Sequence, residues 1–224
     1  MVLSEDSVLA RRPAQLSVRE AAAMSSGAMT ALPFLAEVAK LQRGQRILII
    51  GASGSVGSFA VQMAHQLGAH VTGVCSQANV SWVRELGADR VIDYTQEDFL
   101  KTGDTYDIVF DSVGKSRFAA AKQIVRPGGQ YLTTVLSLKI LWQGFWSARR
   151  GKVRARFAAT GLRTPEQKQA DLNQILEQIQ QGHLKAVVDR VYGFSAIREA
   201  HAYVDRGHKK GNVVVQWEAN AAGS

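Results

Sequence analysis

One stretch, residues 46–67, limits the possible folds of this chain more than any other, and it reads RILIIGASGSVGSFAVQMAHQL. It begins with an apolar, largely β-branched run at 47–50, which is typical of a buried parallel strand. Glycines follow at Gly51, Gly54 and Gly57, and apolar residues then recur at helical spacing. A strand, a glycine turn and a helix in this order predict the first half of a dinucleotide-binding unit.

The glycines of this turn have separate roles in such a unit. Gly54 lets the backbone approach a pyrophosphate, and Gly57 lets the helix pack closely on the strand. The free N–H groups at the start of the helix, from Ser55 and Val56 onward, then face the negative charge. Glycine turns between a strand and a helix also occur for packing alone, so the motif by itself is weak. The strand before it and the helix after it favour the cofactor interpretation.

Strand and helix patterns alternate along the rest of the chain. The predicted strands after residue 67 are 70–75, 90–94, 106–111, 130–135, 153–157, 186–192 and 212–217, and the predicted helices are 78–87, 116–125, 164–182 and 195–206. This alternation predicts an α/β fold in which a doubly wound parallel sheet carries helices on both faces, the Rossmann-type arrangement.

Other signals interrupt regular structure. Ser17 and Glu20 form a capping box that begins a helix, and the sequence Ser-Ser-Gly at 25–27 predicts a break in that helix. Pro33 adds a second irregularity before a further helical turn. The sequence Pro-Gly-Gly at 127–129 predicts a turn that leads into the strand at 130–135.

Composition excludes several classes of protein. The chain has 224 residues and is 46% hydrophobic, which is enough for the core of one large α/β domain. No apolar run approaches the length of a membrane span, and residues 1–20 lack the apolar core of a signal peptide. Cys75 is the only cysteine, so we expect no disulfide framework and a reducing, cytoplasmic location.

The net charge of +8 has two interpretations. Nucleic-acid binding is one, but the basic residues are spread over several elements and lack the aromatic interleaving of a single-strand platform. We therefore expect no nucleic-acid partner. A solvated basic surface that also attracts a phosphorylated cofactor is the favoured interpretation.

The segment at residues 136–157 differs in character from the rest. It contains Trp142, Phe145 and Trp146, followed by five basic residues between positions 149 and 156. An amphipathic helix on a membrane surface is one interpretation. A cleft-lining segment that packs on another surface is the favoured one, and no stable membrane insertion is expected.

Taken together, these motifs resemble the zinc-independent, quinone oxidoreductase-like branch of the medium-chain dehydrogenase/reductase superfamily. The matching stretches run from about residue 12 to residue 216 and are RPAQLSVREAAAMSSGAMTAL, ILIIGASGSVGSFAVQMAHQLGAHVTGVCS, ELGADRVIDYTQEDF, YDIVFDSVG, RPGGQYL and RGHKKGNVVVQ. Members of this family begin with a GroES-like catalytic domain, and most of that domain has no counterpart here. The resemblance divides the chain into a remnant of the catalytic domain at 1–13, a dinucleotide-binding domain at 14–182, a returning C-terminal segment at 183–217 and a tail at 218–224.

The resemblance also assigns positions around the cofactor. The assigned positions are Thr30 and Thr133 beside the nicotinamide, Gly54, Ser55 and Val56 at the pyrophosphate, Ser76 and Asn79 at the ribose 2′-phosphate, Tyr94 on the adenosine side, Ser112 and Val113 near the ribose, and Asn212 on the final strand. Ser55 departs from the usual Gly-Gly-Val turn. Two plainer interpretations stay open, namely that Tyr94 covers the edge of the sheet and that Thr133 is an ordinary strand residue. Asp111 is expected to be structural.

The resemblance implies an oxidoreductase, or its cofactor-binding half, that passes hydride from NADPH to a quinone or an activated enone without a metal. NADPH is expected over NADH because no carboxylate follows the second strand before Glu85. Asn79, however, stands where a lysine is often found. Slow turnover is expected because most of the catalytic domain has no counterpart, and self-association into a homo-oligomer is expected because residues 136–146 would lose their packing surface.

Two alternatives stay open beside this function. A short-chain reductase also carries glycines at this spacing, but it needs a tyrosine with a lysine four residues later. None of the five tyrosines of this chain has one. A non-catalytic module that binds a dinucleotide or senses redox state is the second alternative.

The sequence predicts that the protein needs no metal. Five histidines and one cysteine form neither an HExxH nor a CxxC motif, and a zinc site needs several such ligands at fixed spacing. We expect tag-free protein to contain no stoichiometric zinc by elemental analysis. One zinc per chain that survives dialysis against a chelator would contradict this expectation.

Overall fold

Six parallel strands form the main sheet of the protein. The computed structural model describes residues 7–135, 153–157, 162–207 and 209–217. The strands of this sheet are β1 (Arg46–Ile50), β2 (His70–Cys75), β3 (Arg90–Asp93), β4 (Tyr106–Asp111), β5 (Val125–Thr133) and β6 (Arg154–Phe157). Their order is β3-β2-β1-β4-β5-β6, and every pair of neighbours is parallel. The predicted doubly wound parallel sheet is confirmed.

Helices pack on both faces of this sheet, and the last helix of the chain packs on a second sheet described below. They are α1 (Val18–Pro33), α2 (Ser55–Gln66), α3 (Val80–Glu85), α4 (Phe118–Ala121), α5 (Pro165–Gln180) and α6 (Ile197–Asp205), with shorter helical turns at Phe34–Ala39, Gln77–Asn79, Lys122–Ile124 and Phe194–Ala196. Side chains along β1 alternate between the two faces. Ile47 and Ile49 belong to the core that contains α1 and α2, whereas Leu48 and Ile50 belong to the core that contains α4.

The strand order reverses at β1. From β1 the chain passes to β2 on one side, and it later returns to form β4 on the other side. Helices that leave neighbouring strands in opposite directions open a crevice at the carboxyl ends of those strands. In this protein, the glycine turn after β1 lies at that crevice.

A second, smaller sheet consists of two parallel strands, β7 (Val188–Gly193) and β8 (Asn212–Gln216). Helix α6 lies between them in the chain. The Gly211 N–H donates a hydrogen bond of 2.8 Å to the Ser53 carbonyl, so the start of β8 is attached to the glycine turn. The division of the chain at residues 13, 182 and 217 stays a prediction.

The predicted break in the first helix is wrong. The Ser17–Glu20 capping box is present as expected, but α1 then continues through residues 25–27 to Pro33. The physical reason lies at Gly27. A Cβ atom there would lie 2.5 Å from the Ser55 Oγ and 2.7 Å from the Ser55 carbonyl oxygen, so the glycine allows α1 to pack against the start of α2.

The predicted start of the fifth strand after 127–129 is wrong, although Gly128 in this sequence has a positive φ of 86°. These residues lie within β5, which starts at Val125 rather than at residue 130. Val125 pairs with Tyr106 and Gln130 pairs with Ile108, so the register shifts across the Pro-Gly-Gly sequence. The extra residues are accommodated as an irregularity in the strand, which explains why turn-forming residues do not end it.

Part of the sequence lies outside the described residues. This part includes 136–152, and hence the aromatic cluster and most of the basic residues that follow it. The proposed cleft-lining or self-association role of that segment stays a prediction. Within the described ranges, no helix combines the length and the apolar character that crossing a membrane requires.

The contact between α1 and α2 predicts the effect of a side chain at position 27. We expect Gly27→Val to lower the free energy of unfolding by about 1–3 kcal/mol, because the added atoms force the two helices apart. Urea unfolding followed by circular dichroism measures this change. Ser25→Ala, at an exposed position of the same helix, is the control and should change stability little. Equal midpoints for Gly27→Val and the unmodified protein would contradict the prediction.

Candidate cofactor site

A cavity of about 710 Å³ lies at the crevice described above. Its walls come from the carboxyl ends of β1, β2 and β4, from the glycine turn, and from the loop before β8. The structure brings together there most of the residues that the sequence analysis selected, namely Gly54, Ser55, Val56, Ser76, Asn79, Tyr94, Ser112 and Val113. Their contact with a cofactor stays a prediction.

The glycine turn forms one wall of the cavity. A Cβ atom on Gly57 would lie 2.1 Å from the Gly51 carbonyl oxygen, so only glycine allows this approach of helix and strand. Helix α2 begins at Ser55, directly after its N-cap residue Gly54, which provides no side-chain cap. The N–H groups of the first turn are therefore available to an anion, which is the arrangement that a pyrophosphate requires.

The residues after β2 form a second wall of the cavity. Asn79 is buried, and its side-chain nitrogen lies 3.4 Å from the Ser76 hydroxyl. Its side-chain oxygen has no hydrogen-bond partner among the described residues. A buried amide with an unused polar atom on a cavity wall suits a ligand with hydroxyl or phosphate groups. Tyr94 also lines the cavity and is 52% exposed.

Cys75 also lines the cavity, at the end of β2. The side chain is buried, and this burial, helped by the charge of Asp93, raises the pKa of the thiol to about 11. A thiol with this pKa is neutral at pH 7 and is a poor nucleophile. Cys75 therefore contributes a small apolar surface to the site.

Asp111, at the end of β4, fixes the loop that carries Ser112 and Val113. Its carboxylate is fully buried and accepts hydrogen bonds from the N–H groups of Val113 at 3.1 Å and Gly114 at 2.7 Å. The other oxygen accepts from the Ser116 N–H at 2.7 Å, and the Tyr131 hydroxyl donates to it at 3.3 Å. All of these donors belong to the protein, so Asp111 has the structural role that the sequence analysis expected.

Three predicted site residues lie outside the cavity wall. The Thr30 hydroxyl donates to the Ser26 carbonyl at 2.9 Å, as a helical threonine commonly does. Thr133 is buried, and its hydroxyl accepts from the Val135 N–H at 3.2 Å. Asn212 is buried between neighbouring segments. The roles of Thr30 and Thr133 beside a nicotinamide, and of Asn212 near the cofactor, stay predictions.

The contacts of Asn212 give the Ser55 side chain a structural partner. The Ser55 hydroxyl donates a hydrogen bond to the Asn212 side-chain oxygen at 2.5 Å. The Asn212 side-chain nitrogen donates to the Val187 carbonyl at 3.1 Å. The two polar side chains therefore connect the start of α2 to the C-terminal strands.

Sequence reasoning missed several residues of the cavity wall. Phe99, Lys115, Val204, Gly207 and Lys209 all contribute to it. The stretch RGHKKGN carries part of the family resemblance, but nothing in its local pattern shows that the chain folds back from residue 207 onto the glycine turn. That contact depends on how the second sheet docks.

No group of three or more histidine, cysteine, aspartate or glutamate side chains is placed to hold a metal within the residues that the structure describes.

The hydrogen bonds of Asp111 predict that its charge is required. We expect Asp111→Asn to lower the free energy of unfolding by about 2 kcal/mol or more, because a buried amide N–H group would then face the loop N–H groups. Tyr131→Phe removes one hydrogen-bond donor to the Asp111 carboxylate, so it should lower the free energy of unfolding by about 1 kcal/mol. Urea unfolding of both variants gives the comparison. Full stability of the asparagine variant would contradict this account of the loop.

Comparison with known proteins identifies the family. The family described as "Zinc-binding dehydrogenase" matches residues 86–215, which is more than half of the chain. The mouse protein named "NAD(P)H oxidoreductase RTN4IP1, mitochondrial" is 34% identical over 244 residues, with coverage of 92% of this chain and 58% of that protein. The tomato protein (Solanum lycopersicum) named "2-methylene-furan-3-one reductase" is also 34% identical, with coverage of 94% of this chain and 50% of that protein.

Solved structures agree at the level of the fold. The quinone oxidoreductase from Coxiella burnetii superposes with a TM-score of 0.82 at 23% identity, covering 93% of this chain and 64% of that one. The chain thus spans between half and two thirds of the length of these relatives. The chain belongs to the zinc-binding dehydrogenase family, in the quinone and enoyl reductase branch of the medium-chain dehydrogenase/reductase superfamily.

Proposed function

We propose that this chain is the cofactor-binding part of an NAD(P)H-dependent oxidoreductase that reduces a quinone or an activated enone. The observation that carries the proposal is the cavity at the carboxyl ends of β1, β2 and β4, with the uncapped start of α2 in its wall. A dinucleotide binds in such a crevice of a doubly wound sheet. Relatives named as NAD(P)H oxidoreductase, enoyl reductase and quinone oxidoreductase support the same class of reaction.

The described residues would bind and orient the cofactor, and a bound nicotinamide would supply the hydride. The N–H groups at Ser55 and Val56 would face the pyrophosphate, and Ser76 and Asn79 would face the adenosine ribose. Asp111 would act indirectly, because it holds the loop that carries Ser112 and Val113. No described side chain is assigned as a proton donor, since the chain matches only part of its relatives.

NADPH is the proposed cofactor. None of the residues in the described wall of the cavity is acidic. In NAD-dependent proteins an aspartate or glutamate after the second strand accepts hydrogen bonds from the ribose hydroxyls, and it would repel a 2′-phosphate. The neutral Ser76 and Asn79 occupy that region here. Their presence supports NADPH over NADH but provides no positive charge.

Several finer features of the function are proposals as well. We propose chemistry without a metal, a small-molecule quinone or enone as substrate, assembly into a homo-oligomer and a cytoplasmic location. The name of the mouse relative places that protein in mitochondria. Cell fractionation with an antibody to the native protein tests the location, and light scattering of the purified chain tests the assembly.

A non-catalytic dinucleotide-binding module is the second candidate function. The observation behind it is that the described cavity wall offers groups suited to binding a dinucleotide, whereas no described side chain is assigned as a proton donor. Both candidates predict binding of NADPH. Only the first predicts that a quinone such as phenanthrenequinone oxidises bound NADPH, so turnover at saturating NADPH distinguishes them.

The glycine turn provides a direct test of cofactor binding. A Cβ atom on Gly54 would lie 3.3 Å from the Gly51 carbonyl oxygen, a tight contact that a small shift relieves, so Gly54→Ala should fold. The methyl group would keep a pyrophosphate from the N–H groups of α2. We expect NADPH affinity to fall about tenfold or more, which corresponds to about 1.4 kcal/mol.

Fluorescence titration with NADPH measures this loss, and thermal unfolding of the same samples serves as the control for folding. Unchanged affinity in a folded Gly54→Ala protein would contradict binding at this turn. Absence of NADPH and NADH binding by the unmodified chain would contradict the proposed function itself.

A further inference from the structure

The proposed cofactor, NADPH, carries a 2′-phosphate, and the sequence motifs place no positively charged side chain beside that group. The side chains after β2 that line the cavity, Ser76 and Asn79, are neutral. Arg84, the nearest arginine along the chain, is exposed and does not line the cavity. A doubly charged phosphate is most strongly bound by a charged donor. If the proposed function holds, another part of the fold has to provide that charge.

Lys209 is the candidate for this charge. It belongs to the loop that connects α6 to β8, and it lines the same cavity as Ser76 and Asn79. Val204, from the end of α6, and Gly207, from the same loop, also line this cavity. The lysine is more than 120 residues away from Asn79 in the sequence, so only the docking of the second sheet brings the two residues to one cavity.

Two hydrogen bonds hold this lysine near the glycine turn. The Lys209 Nζ donates to the Gly211 carbonyl at 2.5 Å. The N–H group of Gly211 in turn donates to the Ser53 carbonyl at 2.8 Å. The side chain is therefore fixed beside the turn, and less conformational entropy is lost when a ligand binds to it than for a free surface lysine.

Within the described residues, no ion pair neutralises the charge of Lys209. The side chain is half-buried, and this burial lowers the pKa of its ammonium group. No carboxylate lies within ion-pair distance in the described part of the chain. Asp189 attracts the ammonium from farther away, but its carboxylate accepts hydrogen bonds from the Tyr203 hydroxyl and the Lys210 N–H group.

An ammonium group has three donors, and Lys209 uses one of them on a carbonyl. A partly buried cation with unused donors on a cavity wall is stabilised when an anion enters that cavity. Lys115 is the other cation in this wall, but it is exposed, so solvent and salt screen its charge. Lys209 is therefore the stronger candidate for binding a phosphate.

The pyrophosphate would face a set of donors, the N–H groups at the start of α2, whereas the described cavity-lining side chains directly after β2, Ser76 and Asn79, are neutral. We propose that Lys209 binds the 2′-phosphate of NADPH and is the residue that determines preference for NADPH over NADH. The assignment rests on the proposed dinucleotide site and adds the specificity-determining residue to it.

The test compares Lys209→Gln with Lys210→Gln. Both variants lose one positive charge at adjacent, half-buried positions, but Lys210 does not line the cavity. Each protein is titrated with NADPH, with NADH, and with adenosine 2′,5′-bisphosphate against AMP, so that binding is measured without turnover. We expect Lys209→Gln to weaken NADPH and adenosine 2′,5′-bisphosphate by about tenfold to a hundredfold, the usual effect of losing a charged hydrogen bond. NADH and AMP should bind to it as they bind to the unmodified chain, and Lys210→Gln should change little.

Other outcomes overturn the assignment. An equal loss of affinity for NADPH and NADH would place Lys209 at the pyrophosphate. An equal loss in Lys209→Gln and Lys210→Gln would show that only the overall positive charge matters. Unchanged binding would remove Lys209 from the site. If the unmodified chain binds NADH but prefers it to NADPH, the dinucleotide site stands and the specificity assignment fails; if it binds neither, the proposed function fails. Should Lys209→Gln not fold, Lys209→Met keeps the half-buried stem and gives the same comparison.

Discussion

The close approach between Gly57 and the Gly51 carbonyl is the contact on which the rest of the site depends. A Cβ atom on Gly57 would lie 2.1 Å from that oxygen, which is too close for any side chain. Only glycine at this position therefore lets α2 pack this closely on the end of β1. This packing places the first turn of α2 at the carboxyl end of β1, where its N–H groups are free. Because the strand order reverses at β1, the same point is where the crevice opens.

Other parts of the chain are positioned by contact with this turn. Helix α1 reaches the start of α2 because Gly27 has no side chain to collide with Ser55. The second sheet reaches it through the hydrogen bond from Gly211 to Ser53 and the pair formed by Ser55 and Asn212. A serine at position 55 is therefore understandable as a structural partner of the C-terminal strands. Its backbone N–H remains part of the helix start.

The charges around the cavity divide into two groups. Asp111 is buried, and its negative charge is fully used by donors of its own loop and by Tyr131, so it shapes the wall without presenting charge to a ligand. Lys209 has the opposite character, because no carboxylate of the described residues lies within ion-pair distance of its ammonium group. A cavity wall whose carboxylate is hydrogen-bonded within the protein and whose ammonium group has no ion-pair partner among the described residues suits an anionic ligand.

The sequence by itself determined the fold class and much of the cavity. The alternation of strand and helix patterns predicted the bounds of β2 and β4 to the residue, and the local glycine spacing located the turn, because these features depend on neighbours in the chain. It misread Ser-Ser-Gly at 25–27, where packing against α2 outweighs the local preference for a break, and it placed the start of β5 after Pro-Gly-Gly at 127–129, whereas the strand already pairs with β4 at Val125. Only the tertiary structure decided that Lys209 joins the cavity and that Asn212 binds Ser55, because both contacts connect segments more than 120 residues apart and leave no local pattern.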